Sequence, residues 1–229
     1  MTFASISFAM QAEVISAKGK AEVQSGSSWT ALKAGDKLSQ GAVIQTGFKS
    51  EVVLKIKEST VTVAALSRVT IQSLAEQQGI DGKEGRDETK LFLNTGALKS
   101  NVQKSEDRRV GFTVRSPVAT ASVRGTEFSF STTYKSARLS TSRGSVSFGK
   151  SPKNGRDAEI SGILVSKGEE ASLNTNGDMT KPSEMAKDSS LKIGNGTSSA
   201  AASEAGVIQM KEKGSGGKAI IKAELAFTF

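Results

Sequence analysis

The chain has 229 residues, 31 Lys and Arg against 23 Asp and Glu, a net charge of +8, and neither histidine nor cysteine. Those two absences exclude Ser-His-Asp and Cys-His nucleophiles, His/Cys zinc, haem and iron–sulfur sites, disulfides and a lipid-bearing cysteine. An enzyme could still use carboxylate, Ser–Lys or Tyr chemistry, and no cofactor is expected.

Residues Phe3 to Met10 (FASISFAM) form a short apolar run, followed by Gln11-Ala12 and a polar, alternating chain. Small residues Ala9 and Ala12 near its end resemble the close of a secretory signal peptide cut after Ala12, although a basic leader region is absent. The alternative is a first strand. No later segment approaches about 18 consecutive apolar residues, so no membrane-spanning helix is expected.

From Lys20 the sequence breaks into short alternating segments, the pattern of half-buried strands. They include Ala21 to Val23, Glu51 to Lys57, Thr60 to Val63, Arg68 to Gln72, Lys90 to Leu93, Gly111 to Arg115, Thr126 to Ser131, Arg138 to Thr141, Ser145 to Phe148 and Ile163 to Val165. Glycines at 35, 41, 47, 96, 125, 144 and 168 punctuate them, where turns need positive φ or close backbone approach. Trp29 and Phe48 are expected as large apolar caps and Pro117 as a strand edge or bend. Glu76 to Glu88 (EQQGIDGKEGRDE) reads as a mobile loop; its acids Asp81, Glu84 and Asp87 miss the ligand spacing of a calcium loop.

Charge is uneven. Glu13 to Ala97 holds eleven basic and ten acidic residues, whereas Leu98 to Arg156 holds twelve and three. Lys99, Lys104, Arg108, Arg109 and Arg115 form the candidate contact face for an acidic protein or an anionic polymer; no nucleic-acid-binding signature accompanies them. The bland alternative is a solvated face. Beyond Leu173 the chain turns rich in Ser, Ala, Gly and Lys, which reads as a linker or tail. Lys218 to Phe229 (KAIIKAELAFTF) regains strand-like alternation and is expected either to pair with the domain's own sheet or to associate with an outer membrane.

Several segments, in order, resemble the FecR-like domain of bacterial extracytoplasmic proteins. Trp29 with Leu32 to Leu38 resembles its "W..L..GD.L" stretch, Gly41 to Gly47 its "G..I.TG", Leu93 to Leu98 its "L..G.V" turn, and Phe112 to Phe128 its "F.V.TP.A...VRGT.F". The resemblance implies an all-β fold, twisted and solenoid-like or sandwich-like. It spans residues 13–175, after a signal-peptide remnant at 1–12 and before a tail at 176–217 and a terminal strand at 218–229. Family regulators pass a signal from an outer-membrane transporter to a sigma factor.

The resemblance further implies a non-catalytic periplasmic or secreted module that binds an envelope protein or polymer, in signal sensing or envelope organisation. Arg124, Gly125, Thr126 and Phe128 are the framework motif. The Arg124 guanidinium is expected to tie neighbouring turn carbonyls, or alternatively to meet an anionic ligand. The enzymatic alternative is a glycan-active enzyme using two carboxylates from Glu127, Glu169 and Glu170.

Overall fold

The computed structural model describes residues 10–79, 84–152, 162–180 and 183–184. The apolar run up to residue 9, most of the expected tail and the strand at Lys218 to Phe229 lie outside the described residues. Within them the chain forms seventeen strands and no helix.

The strands fall into two facing ladders, and the chain shuttles between them in hairpins. β1 (Ala12–Lys18) lies in the first sheet, β2 (Ala21–Ser25) and β3 (Ser28–Ala31) in the second, β4 (Lys37–Leu38) in the first and β5 (Val43–Thr46) in the second. β6 (Glu51–Ile56) and β7 (Ser59–Val63) form a first-sheet hairpin, β8 (Arg68–Gln77) returns to the second sheet, and β9 (Gly85–Asn101) runs through both. β10 (Arg108–Arg115) and β11 (Ala119–Val123) pair in the second sheet, β12 (Glu127–Thr132) and β13 (Ser136–Arg143) in the first, and β14 (Ser145–Lys150) and β15 (Gly162–Ser166) in the second. β16 (Glu169–Asn174) and β17 (Ser183–Glu184) close the first sheet. Every pairing is antiparallel except β9 with β10. Neither sheet closes into a barrel.

Period-two alternation builds this arrangement. Val52, Leu54 and Ile56 of β6, Val61 and Val63 of β7, and Phe112 and Val114 of β10 point inward and are buried. The two sheets meet through aromatic edges: Phe112 packs on Phe128 with ring centroids 6.4 Å apart at 74°, and Phe130 on Phe148 at 6.3 Å and 71°. Each such pair adds about 1 kcal/mol to the area it buries. Trp29 and Phe48 do not cap this core. Trp29 sits on the edge strand β3 under the Arg68 guanidinium, and Phe48 is 73% exposed in the turn after β5, because aliphatic residues and the four phenylalanines already fill the interior.

β9 shows how one strand serves two sheets. Its inward residues are Asp87, Thr89, Leu91 and Leu93, then Leu98 and Ser100, so the phase changes between Leu93 and Leu98. The change occurs at Gly96, whose φ is +96° and where a Cβ would overlap the Ser67 backbone. Ser67 Oγ accepts a hydrogen bond from Ala97 N at 3.0 Å and fixes the bend. Only glycine fits this position.

At the two ends of the described chain, Ala12 pairs with Leu38 and is buried with Met10, Met179 bridges to Leu173, and Ser183–Glu184 pairs with β16.

Candidate functional site

The turns and crossovers gather along two opposite edges. The first carries the β6–β7 turn, the link from β9 to β10, and the turns β11–β12, β13–β14 and β15–β16. The opposite edge carries the links β5–β6 and β7–β8, the bend of β9 and the β12–β13 turn.

At one end of the first edge lies a cleft of about 290 Å³, floored by Met10, Ile56, Val110 and Phe112. Its rim is a closed ring of four charges. Lys57 Nζ contacts Asp87 Oδ2 at 2.9 Å and Glu76 Oε2 at 3.0 Å; Arg108 Nε contacts Asp87 Oδ1 at 2.8 Å and its Nη2 Glu76 Oε1 at 3.4 Å. Arg108 Nη2 also donates to Gln77 O at 2.8 Å. Lys57 comes from the first sheet and the other three from the second, so the ring staples the two sheets at the mouth of the core. Two cations and two carboxylates leave it neutral, and both Asp87 oxygens are occupied. The recess therefore suits an apolar group better than acid–base chemistry.

This ring corrects the expectation of a loop at Glu76 to Glu88. Residues 80–83 lie outside the described residues, but Glu76 and Gln77 belong to β8 and Gly85 to Glu88 to β9. The signal was available: Asp87, Thr89, Leu91 and Leu93 share one parity, so the inward face of the strand continues back through the acid. Calcium binding by this segment is not supported. Asp87 is committed to Lys57 and Arg108, and Glu84 lies 3.4 Å from Arg109.

Of the five basic residues expected to share a contact face, Lys104 and Arg108 both line the cleft. Lys99 is on the first sheet, 2.6 Å from Glu127, while Arg108, Arg109 and Arg115 are on the second. Arg108 is inside the ionic ring. Lys104, in the link to β10, is exposed and has no ion pair among the described residues. The carboxylates expected of an enzyme are likewise separated by their partners. Glu127 faces Lys99, Glu170 faces Arg138 at 3.3 Å, and Glu169 accepts from Ser166 N at 2.7 Å; none of the three lines the cleft.

The Val123-Arg124-Gly125-Thr126 turn divides its work differently from the expectation. Thr126 is fully buried; its Oγ1 donates to Ser145 O at 3.2 Å and its carbonyl accepts from Val102 N at 2.9 Å. Gly125 has φ +73° and lies under the Lys104 side chain, and Phe128 is in the core. Arg124 is exposed and makes no hydrogen bond or ion pair among the described residues, so it ties no carbonyls. The turn is held from its glycine and threonine, which frees the guanidinium.

Among the described residues, two helix-free ladders joined by short crossovers, with a cleft rimmed by a neutral ionic ring, define an all-β module. Residues 42–147 match the family model described as FecR protein, a stretch from the start of β5 into β14 that contains the Arg124–Phe128 motif. Two crystal structures of a candidate anti-sigma factor from Parabacteroides distasonis ATCC 8503, at 2.50 and 1.65 Å resolution, align with 16% identity and a TM-score of 0.45. The alignment covers 62% of this chain and 59% of that one, so this chain spans about three fifths of that protein's length. No curated protein matches.

Proposed function

We propose that this chain is a non-catalytic FecR module of the bacterial envelope, periplasmic or secreted, that docks a protein partner through the opposite edge. One observation carries the reading. Phe48 is 73% exposed and Leu66 62% exposed, in neighbouring turns joined by Leu66 N donating to Gly47 O at 3.1 Å. Leu66 has φ +54°, a left-handed conformation that costs a non-glycine residue about 1–2 kcal/mol. Buried Thr46 holds the strained turn, its Oγ1 donating to Ala64 O at 2.6 Å and accepting from Ser67 N at 3.0 Å. The backbone is thus locked in a form that displays two large apolar side chains to solvent. Lys49 lies over the Phe48 ring at 5.5 Å, the mixed apolar and cationic surface that an acidic-rimmed protein pocket would accept.

The test is mild cross-linking and pull-down from fractionated cells with the native chain and with Phe48→Ser/Leu66→Ser. Recovery of a discrete envelope protein by the native chain, reduced about tenfold or more in the double variant, supports the reading. Equal recovery by both, or recovery from the cytosol alone, overturns it.

A further inference from the structure

The first edge carries a second, independent feature beyond the ionic ring. The crossovers that lead into the neighbouring first-sheet strands β12 and β16, and the end of β13 between them, each bring one basic residue to this edge, Arg124, Lys167 and Arg143, and Lys104 of the β9–β10 link lies over the first of these turns. All four are exposed, and among the described residues none forms an ion pair. Three of them precede a glycine of positive φ, Gly125 at +73°, Gly144 at +79° and Gly168 at +81°, so the same basic–glycine turn recurs in successive layers. The turns are stacked against one another. The Lys104 side chain covers Gly125, and a Cβ on Gly144 would lie 3.1 Å from the Gly125 carbonyl oxygen. Arg143 Nη2 donates to Asn101 Oδ1 at 2.8 Å, which sets its direction without spending its charge.

The acids nearby leave the row open. Glu127 is taken by Lys99 and Glu169 is turned onto Ser166 N, while the exposed Glu106 and Asp107 of the β9–β10 link form no ion pair with any of the four cations.

We infer that this row is a binding site for a linear anionic polysaccharide, lying across the layers of the first edge. Neighbouring strands are about 4.8 Å apart, so the three basic–glycine turns at β12, β13 and β16 recur at about that interval over roughly 10 Å, with Lys104 over the first of them. An extended chain of pyranose rings advances by about one such spacing per sugar, and long Lys and Arg side chains reach acid groups on either flank of it. An extended acidic peptide shows same-side charges only every two residues, about 6.7 Å apart, and falls out of step. Single-stranded nucleic acid draws its affinity from stacking on aromatic side chains. Among the described residues, the exposed aromatics Trp29, Phe48 and Tyr134 belong to β3, the β5–β6 link and the β12–β13 turn, away from this edge. Exposed Ser105, beside Lys104 in the chain, and exposed Ser142 and Ser145, on either side of Arg143-Gly144, offer the hydroxyl contacts that a sugar chain uses.

The test uses the full chain and polygalacturonate as the probe, measured by titration calorimetry at about 50 and 200 mM salt, with oligo-dT and polyglutamate of matched charge alongside. The native chain is expected to bind the polyuronate, with affinity falling about tenfold or more across that salt range. Arg124→Gln/Arg143→Gln/Lys167→Gln should lower affinity at least about tenfold at the lower salt. Arg124→Lys/Arg143→Lys should retain most of it. Lys33→Gln/Lys49→Gln/Lys135→Gln, which removes the same net charge elsewhere, should change it less than about twofold, as should Phe48→Ser/Leu66→Ser. Thermal melts confirm that each variant is folded. Absence of polyuronate binding, an equal loss in the charge-matched control, or tighter binding of oligo-dT or polyglutamate would each overturn the assignment.

Discussion

Two cation-bearing regions lie on the same edge of the molecule and behave as opposites. In the ring at the cleft, Lys57 and Arg108 each meet two carboxylates, and Asp87 is only 9% exposed at its side chain. In the row, Lys104, Arg124, Arg143 and Lys167 are in solvent, with no acid attached among the described residues. The first arrangement holds the two sheets together; the second leaves charge for a ligand. Side-chain type does not separate them. What separates them is whether the fold delivers an acid from another strand.

The sharpest way to break this comparison is to remove the acid at the centre of the ring. Asp87→Ala leaves Lys57 and Arg108 partly buried beside a single carboxylate, and should lower unfolding free energy by about 3 kcal/mol in urea titration, since stranding a buried charge costs more than the pair contributes. A loss under about 0.5 kcal/mol would make the ring a surface ornament. The next effect is at the row's backbone. Gly125→Ala places a Cβ at φ +73° against the Lys104 side chain and should cost about 1–2 kcal/mol, while Arg124→Ala beside it should cost almost nothing. The smallest expected effect is the most diagnostic: Arg124→Gln/Arg143→Gln should shift stability by less than about 0.5 kcal/mol in the same titration. A larger loss would move these arginines from the ligand-facing class to the framework.

The pair Lys99 and Glu127 lies between these extremes. At 2.6 Å but nearly half exposed on the lysine side, it should contribute no more than about 1 kcal/mol by a double-mutant cycle, despite its short distance.

Much of the fold was legible in particular residues. The alternation in Glu51 to Lys57, Arg68 to Gln72 and Gly111 to Arg115 gave strands where strands are found, and Gly96, Gly125 and Gly144 marked bends and turns of positive φ. The ordered motifs pointed to the FecR domain. The site was less legible. Glu76 to Glu88 looked like a loop because its glycines and acids outweighed the parity it shares with Leu91 and Leu93. Phe48 looked like a core cap because nothing in its neighbours reveals that Leu66 occupies a left-handed turn beside it.

By itself the sequence determined the β class, through period-two alternation and glycine-bearing turns, and it ruled out imidazole and thiolate chemistry through the absence of both residue types. It could not determine which charges are spent. Lys57 and Asp87 are 30 residues apart, and Arg108 and Asp87 are 21 apart. Arg124, Arg143 and Lys167 become a row only when β12, β13 and β16 stack. Ion pairing depends on separations of a few ångströms between distant chain segments, and strand stacking alone sets those separations.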